Sequence, residues 1–123
     1  MKVFLSYTIR DGLINKNLLQ LLDGEISREC DIYIDLLHNR SATPQDEVIK
    51  QLVSSDMLIQ ITTPSIDDSG WASLEANLAA EQKIKTCFVE YFHSNPNQLI
   101  IDLVQIIKSS NATRQNALIC SSA

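Results

Sequence analysis

Glycine is scarce in this chain, and what there is stands apart. Gly12, Gly24 and Gly70 are the only three, too widely spaced for G-x-G-x-x-G or G-x-x-x-x-G-K-[ST], which excludes the dinucleotide fingerprint and the P-loop. Cysteine is few and odd in number. Cys30, Cys87 and Cys120 lie far apart with no C-x-x-C, which reads as free thiols of a reducing compartment rather than a disulfide framework. His38 and His93 add no ligand pair with zinc-site spacing, so no metal is expected. Positive charge is thin as well: ten Lys and Arg against 15 Asp and Glu, for a net charge of −5. Without a dense basic face, nucleic acid is excluded as the main partner, and so is an anionic membrane. The longest apolar stretch, Leu99–Ile107, is broken by Asp102 and Gln105 and falls far short of the roughly 20 residues that span a bilayer. The opening residues reach Arg10 and Asp11 with no signal-peptide core, and a cytoplasmic protein is expected.

What is present is one domain's worth of alternating strands and helices, 123 residues with 45% hydrophobic composition and no linker. Lys2–Tyr7 is a short apolar run of strand character. In Leu13–Glu29 the period changes: Ile14, Leu18, Leu22 and Ile26 recur every four residues, the stripe of an amphipathic helix. Asp31–Leu36 reads as the second strand, followed by a polar loop, Leu37–Ala42. Thr43-Pro44 then opens a helix, with Asp46 and Glu47 in the first turn where the helix dipole favours them. Val48, Ile49, Leu52 and Val53 are its expected buried face. Met57–Thr63 is a third strand, stopped by Pro64, and a third main helix spans about Gly70–Lys83, with Leu74 and Leu78 for packing. Thr86–Tyr91 is the fourth strand. Asn95-Pro96-Asn97-Gln98 starts a last helix, and Ser109–Ala123 reads as a polar tail with a short fifth strand or docked end at Ala117–Cys120.

This order predicts an α/β, flavodoxin-like three-layer sandwich, a central parallel sheet of four to five strands with helices on both faces. Ligand crevices in such folds lie at the carboxyl ends of the strands. The segments Tyr7–Asp11, Asp35–Ala42 and Thr62–Ser69, with the start of the third helix, therefore face the crevice. Receiver domains share the topology, but the paired acids after strand one and the Asp ending strand three are missing here.

Several of these segments are similar to a Toll/interleukin-1 receptor (TIR) domain. Phe4-Leu5-Ser6-Tyr7 with Arg10-Asp11 resembles its opening strand and first loop. Ile32–Asp35 resembles its second strand, closed by an Asp. Ser54–Ile59 and Thr63-Pro64-Ser65 resemble the run through its third strand, and Trp71-Ala72-Ser73-Leu74-Glu75 fits the W-x-x-x-E motif of TIR domains that cleave NAD+. The likeness extends over about Lys2 to Tyr91; the loop after Asp35 departs from it in lacking glycine and proline. It implies NAD+ as substrate with no cofactor, a nicotinamide product with a linear or cyclic ADP-ribose signal, and a role in immune signalling. It also implies self-association or pairing with other TIR domains, and a downstream effector that reads the product.

Some of the chemistry can be read from the residues themselves. Trp71 and Glu75 are i and i+4 on one helix face over the crevice. A carboxylate beside an indole can stabilise positive charge developing on a sugar carbon, as an oxocarbenium-like transition state requires. Nicotinamide leaves a ribose neutral, so one carboxylate suffices and no general acid is needed. Glu75 is the expected catalytic residue, with Tyr7, Thr8, Arg10, Asp35 and Trp71 as substrate-binding residues. Five of them have an ordinary structural alternative: a solvated helix face for Glu75, core packing for Trp71 and Tyr7, a solvated loop charge for Arg10, backbone satisfaction at a strand end for Asp35. Two competing functions remain from sequence: a non-enzymatic TIR interaction module, and a nucleoside deoxyribosyltransferase-like N-glycosidase, which the bulky Trp71 before the Glu disfavours.

Overall fold

Strand β1 (Lys2–Ser6) runs parallel to two neighbours, β2 (Asp31–Tyr33) and β3 (Met57–Thr62), and β4 (Lys85–Glu90) adds to the far side of β3. The order β2-β1-β3-β4 reverses direction at the β1/β3 junction, where crevices form in doubly wound sheets. The computed structural model describes residues 1–92 and 95–122, with the side chains of the last helix described as far as residue 111.

Helices cover both faces. On one, α1 (Lys16–Ile26) and α5 (Pro96–Ser122) lie side by side. Their apolar stripes, with Ile14 just ahead of α1, bury Leu18, Leu22, Leu103 and Ile107 against Val3, Leu5, Ile59 and Val89. On the other face, α3 (Pro44–Val53) and α4 (Gly70–Glu81) pack Val48, Leu52 and Ala79 over Phe4, Tyr33 and Leu58. Alternation along the strands supplies both cores, because successive side chains point to opposite faces. The expected parallel α/β sandwich is what forms, and among the described residues no helix is long and apolar enough to cross a membrane.

Local chemistry sets the helix starts. Asn15 Oδ1 accepts the Leu18 N–H at 2.9 Å, so α1 begins at Lys16 and not at Leu13. Asn95 Oδ1 likewise accepts from Gln98 at 3.2 Å. Thr43, by contrast, makes no side-chain cap, and α3 relies on Pro44 at its start and on Asp46 and Glu47 in its first turn.

Three expectations are corrected. The second strand ends at Tyr33, and Asp35–His38 forms a short helix, α2, where strand end and loop were expected. The strand ends as the chain turns into α2: the Leu37 and His38 N–H groups donate back to the Ile34 carbonyl at 3.0 and 2.9 Å. Side chains hold the turn, His38 Nδ1 accepting the Ile34 N–H at 2.9 Å and Tyr7 Oη the Leu36 N–H at 3.1 Å. The tail holds no fifth strand among the described residues, since α5 continues to Ser122. Finally, Ile49, Val53 and Leu74 are exposed, because α3 and α4 each bury a narrower stripe than their apolar content suggested. His93 lies outside the described residues, as does the side chain of Cys120.

Candidate functional site

At the carboxyl end of β1 the chain passes from buried Ser6 through half-buried Tyr7 to buried Thr8. Above it stands α4. Its cap is Ser69, whose Oγ accepts the Ala72 N–H at 3.2 Å, and this fixes the first turn over the β1/β3 junction. With the cap fixed, Trp71 and Glu75 stack one turn apart. Trp71 is 37% exposed, whereas Glu75 points inward and is only 6% exposed.

Glu75 is held by one hydroxyl. Ser6 Oγ donates to its Oε1 at 2.8 Å. Ser6 in turn accepts from Gln60 Nε2 at 3.2 Å, and the same amide donates to the Ala72 carbonyl, also at 3.2 Å. The relay joins β3, β1 and α4 through buried side chains, and it orients the Ser6 proton toward the carboxylate. No cation pairs with Glu75 among the described residues. Burial therefore dominates and pushes its pKa up from 4.5 to about 7; the Ser6 hydrogen bond works against this, and the nearby Asp35 charge adds to it.

Tyr7 and Asp35 complete the cluster. Burial pushes the Tyr7 phenol up to about 12, offset in part by the Leu36 N–H and reinforced by the charges of Asp35 and Glu75. Asp35 Oδ1 accepts from the Tyr33 hydroxyl at 3.0 Å and from Asn39 Nδ2 at 2.8 Å, which ties the start of α2 to the crevice. Of the six residues expected at the site, Tyr7, Asp35, Trp71 and Glu75 thus gather around the β1/β3 switch point. Thr8 serves the turn: its Oγ1 accepts the Arg10 N–H at 3.3 Å. Arg10 is exposed, and its guanidinium has no partner among the described residues. His38 turns away, its Nε2 lying 3.2 Å from the Asp23 carboxylate of α1.

Two residues of the site were not anticipated, Ser6 and Gln60. Both carried a signal, since each is a polar residue inside an otherwise apolar strand, and a buried polar group requires a partner. Among the described residues no group of three His, Cys, Asp or Glu is arranged to hold a metal. A scan of protein-family models and a search of curated proteins both return no match to this chain.

Proposed function

We propose that this chain is a TIR-like enzyme that cleaves the nicotinamide–ribose bond of NAD+, with Glu75 as its catalytic carboxylate. The observation that carries the reading is a buried carboxylate with no cation beside it among the described residues, at the switch point of a doubly wound sheet. An unpaired buried charge is costly, and a site that pairs it only when substrate arrives turns that cost into selectivity for a cation. The nicotinamide ring of NAD+ is a pyridinium, and its arrival favours the ionised form of Glu75.

As the C1′–N bond lengthens, its electron pair leaves with the nitrogen, and positive charge moves from the ring to the ribose carbon. Glu75 stabilises that charge where it develops, which is differential binding of the transition state. Water then attacks C1′ to give ADP-ribose and releases a proton; attack by an adenine nitrogen gives a cyclic product. Trp71, partly exposed one turn before Glu75, supplies a stacking wall, Tyr7 and Asp35 offer hydroxyl and carboxylate contacts to ribose, and Arg10 is free to meet a phosphate. Incubating the pure protein with NAD+, CMP and deoxynucleosides and following the released base by chromatography tests this. Nicotinamide release from NAD+ alone is expected; release of a base from the other substrates and not from NAD+ overturns it.

A non-enzymatic interaction module is the second reading. It is favoured by Ile9, Leu36 and Trp71, apolar residues 57%, 48% and 37% exposed in segments that follow β1 and β2 or open α4. A protein that leaves NAD+ intact at every concentration supports that reading.

A further inference from the structure

The two edges of the sheet differ. The β2 edge is three residues long, a length too short to template another strand. The β4 edge is six residues long, Lys-Thr-Cys-Phe-Val-Glu, with charges only at its ends. At its centre Phe88 is 62% exposed, and beside it an open groove of about 790 Å³ separates the strand from α5. Exposed edges with an apolar centre invite pairing by another strand.

The backbone pattern of β4 is symmetric about Phe88. The Tyr91 N–H donates to the Thr62 carbonyl of β3 at 2.8 Å. Main-chain groups alternate sides along a strand, so Cys87 and Val89 also face β3, and Thr86, Phe88 and Glu90 present their N–H and C=O groups outward. An antiparallel second copy centred on Phe88 satisfies all three positions at once, with Phe88 opposite Phe88 and Thr86 opposite Glu90. This register keeps opposed side chains on the same face, as a two-fold axis normal to the sheet demands. Charge agrees with it. Lys85 lies on the α5 side, where its Nζ donates to Ser110 Oγ at 3.0 Å. The two-fold carries Lys85 of the second copy to the position opposite Tyr91, and Asp102 of α5 lines the hollow there.

We infer that β4 pairs antiparallel with β4 of a second copy of this chain, joining two four-stranded sheets into one, with Phe88 on Phe88 and Lys85 beside Asp102 of the other copy. The pairing is independent of any activity at Glu75.

Sedimentation across a dilution series, combined with amide exchange followed by NMR, tests it. A dimer with a micromolar to submillimolar Kd is expected, and the amides of Thr86, Phe88 and Glu90 slow with concentration while those of Cys87 and Val89 do not change. Phe88→Asp leaves the fold intact by circular dichroism, because the ring is exposed, and weakens association at least 100-fold. Lys85→Glu also weakens it, and adding Asp102→Lys restores it. A chain that stays monomeric up to about 1 mM, or a dimer that forms with the three outward amides unchanged or survives Phe88→Asp, overturns the inference.

Discussion

Asp11 and Glu75 are both carboxylates at the carboxyl edge of the sheet, and their surroundings drive them in opposite directions. Asp11 sits in a turn that Gly12 closes at a φ of 75°, and the turn aims backbone donors at it. Its Oδ2 accepts the Ser65 N–H at 3.0 Å and its Oδ1 the Leu13 N–H at 3.3 Å. Burial acts to raise its pKa, but these donors outweigh it and hold the group below the usual carboxylate range. Glu75 receives one hydroxyl and is otherwise stripped of solvent, so its pKa rises to about 7. Fixed N–H groups make a carboxylate a structural clasp between the β1 and β3 loops. Desolvation with a single neutral donor leaves a charge that gains most from a cation not yet present.

The sharpest way to break this comparison is Glu75→Gln. The amide keeps the size and the Ser6 contact but removes the charge. NAD+ cleavage should fall roughly 10²–10³-fold, the usual loss for one preorganised transition-state contact. Stability should move the other way. The folded-state pKa of Glu75 lies above its ordinary value of 4.5, so its contribution is fully present below pH 4.5 and is lost as pH rises to about 7. At pH 8 the wild type therefore bears a penalty of up to about 3 kcal/mol that the Gln variant escapes, and thermal melts at pH 8 should show the variant more stable. A Gln variant that is less stable at pH 8 and cleaves NAD+ normally makes Glu75 a structural residue like Asp11. In the wild type, kcat/KM should rise with pH through about 7, with no basic limb from a general acid.

Trp71→Ala comes next in size. A core tryptophan costs about 3–5 kcal/mol on truncation, but this one is 37% exposed. The expected outcome is a Tm within a few degrees of wild type and a KM for NAD+ raised about tenfold, the equivalent of about 1.4 kcal/mol of stacking. A collapse of the melting transition with KM unchanged in the surviving fraction retires the stacking role.

Asp11→Asn probes the clasp. Removing the charge weakens its hydrogen bonds to Ser65 and Leu13, and for a partly exposed group the loss should be about 1 kcal/mol. A depressed carboxylate pKa contributes stability above the ordinary value of 3.8 that is lost as pH falls through the folded-state pKa. Denaturant melts should therefore separate the two proteins at pH 7 and bring them together in acid. An equal gap at both pH values assigns the effect to something other than charge.

Much of this frame was legible in the sequence. The four-residue recurrence of Ile14, Leu18, Leu22 and Ile26 marks α1, and all four are buried, although Ile14 falls just ahead of the Asn15 cap. Apolar runs place the four strands that form, and the i, i+4 spacing puts Trp71 and Glu75 on one helix face, a turn apart. The boundary of β2 was not legible, because Asp31–Leu36 alternates like a strand throughout. What holds the turn that replaces its end is a phenol 29 residues away in sequence and a histidine that bonds back over its own turn. Periodicity contains neither contact. The same limit hid the Ser6–Gln60 relay: two polar residues in apolar strands were visible, but only the parallel register, which sets Ser6 opposite Gln60, shows that they answer each other. The continuation of α5 through the tail was missed for a different reason. Helix formation there needs only the absence of Gly and Pro after Pro96, a weaker signal than an apolar stripe.

The smallest expected effect is that of Ser6→Ala, and it sharpens the comparison most finely. The Ser6 hydroxyl is the one donor that favours the charged form of Glu75, working against burial. Its removal should raise the Glu75 pKa further, so the limb of the pH–rate profile moves upward. At pH 7 the variant loses activity through protonation, whereas well above that pH the carboxylate is charged in both proteins and the deficit should narrow to a few-fold. Stability changes little, since Gln60 Nε2 retains the Ala72 carbonyl when the serine oxygen is gone. A deficit that is the same at every pH means that Ser6 positions Glu75 without tuning its charge. A limb that does not move means that the crevice holds Glu75 in its high-pKa state by desolvation alone, and the contrast with Asp11 then rests on burial rather than on the number of donors.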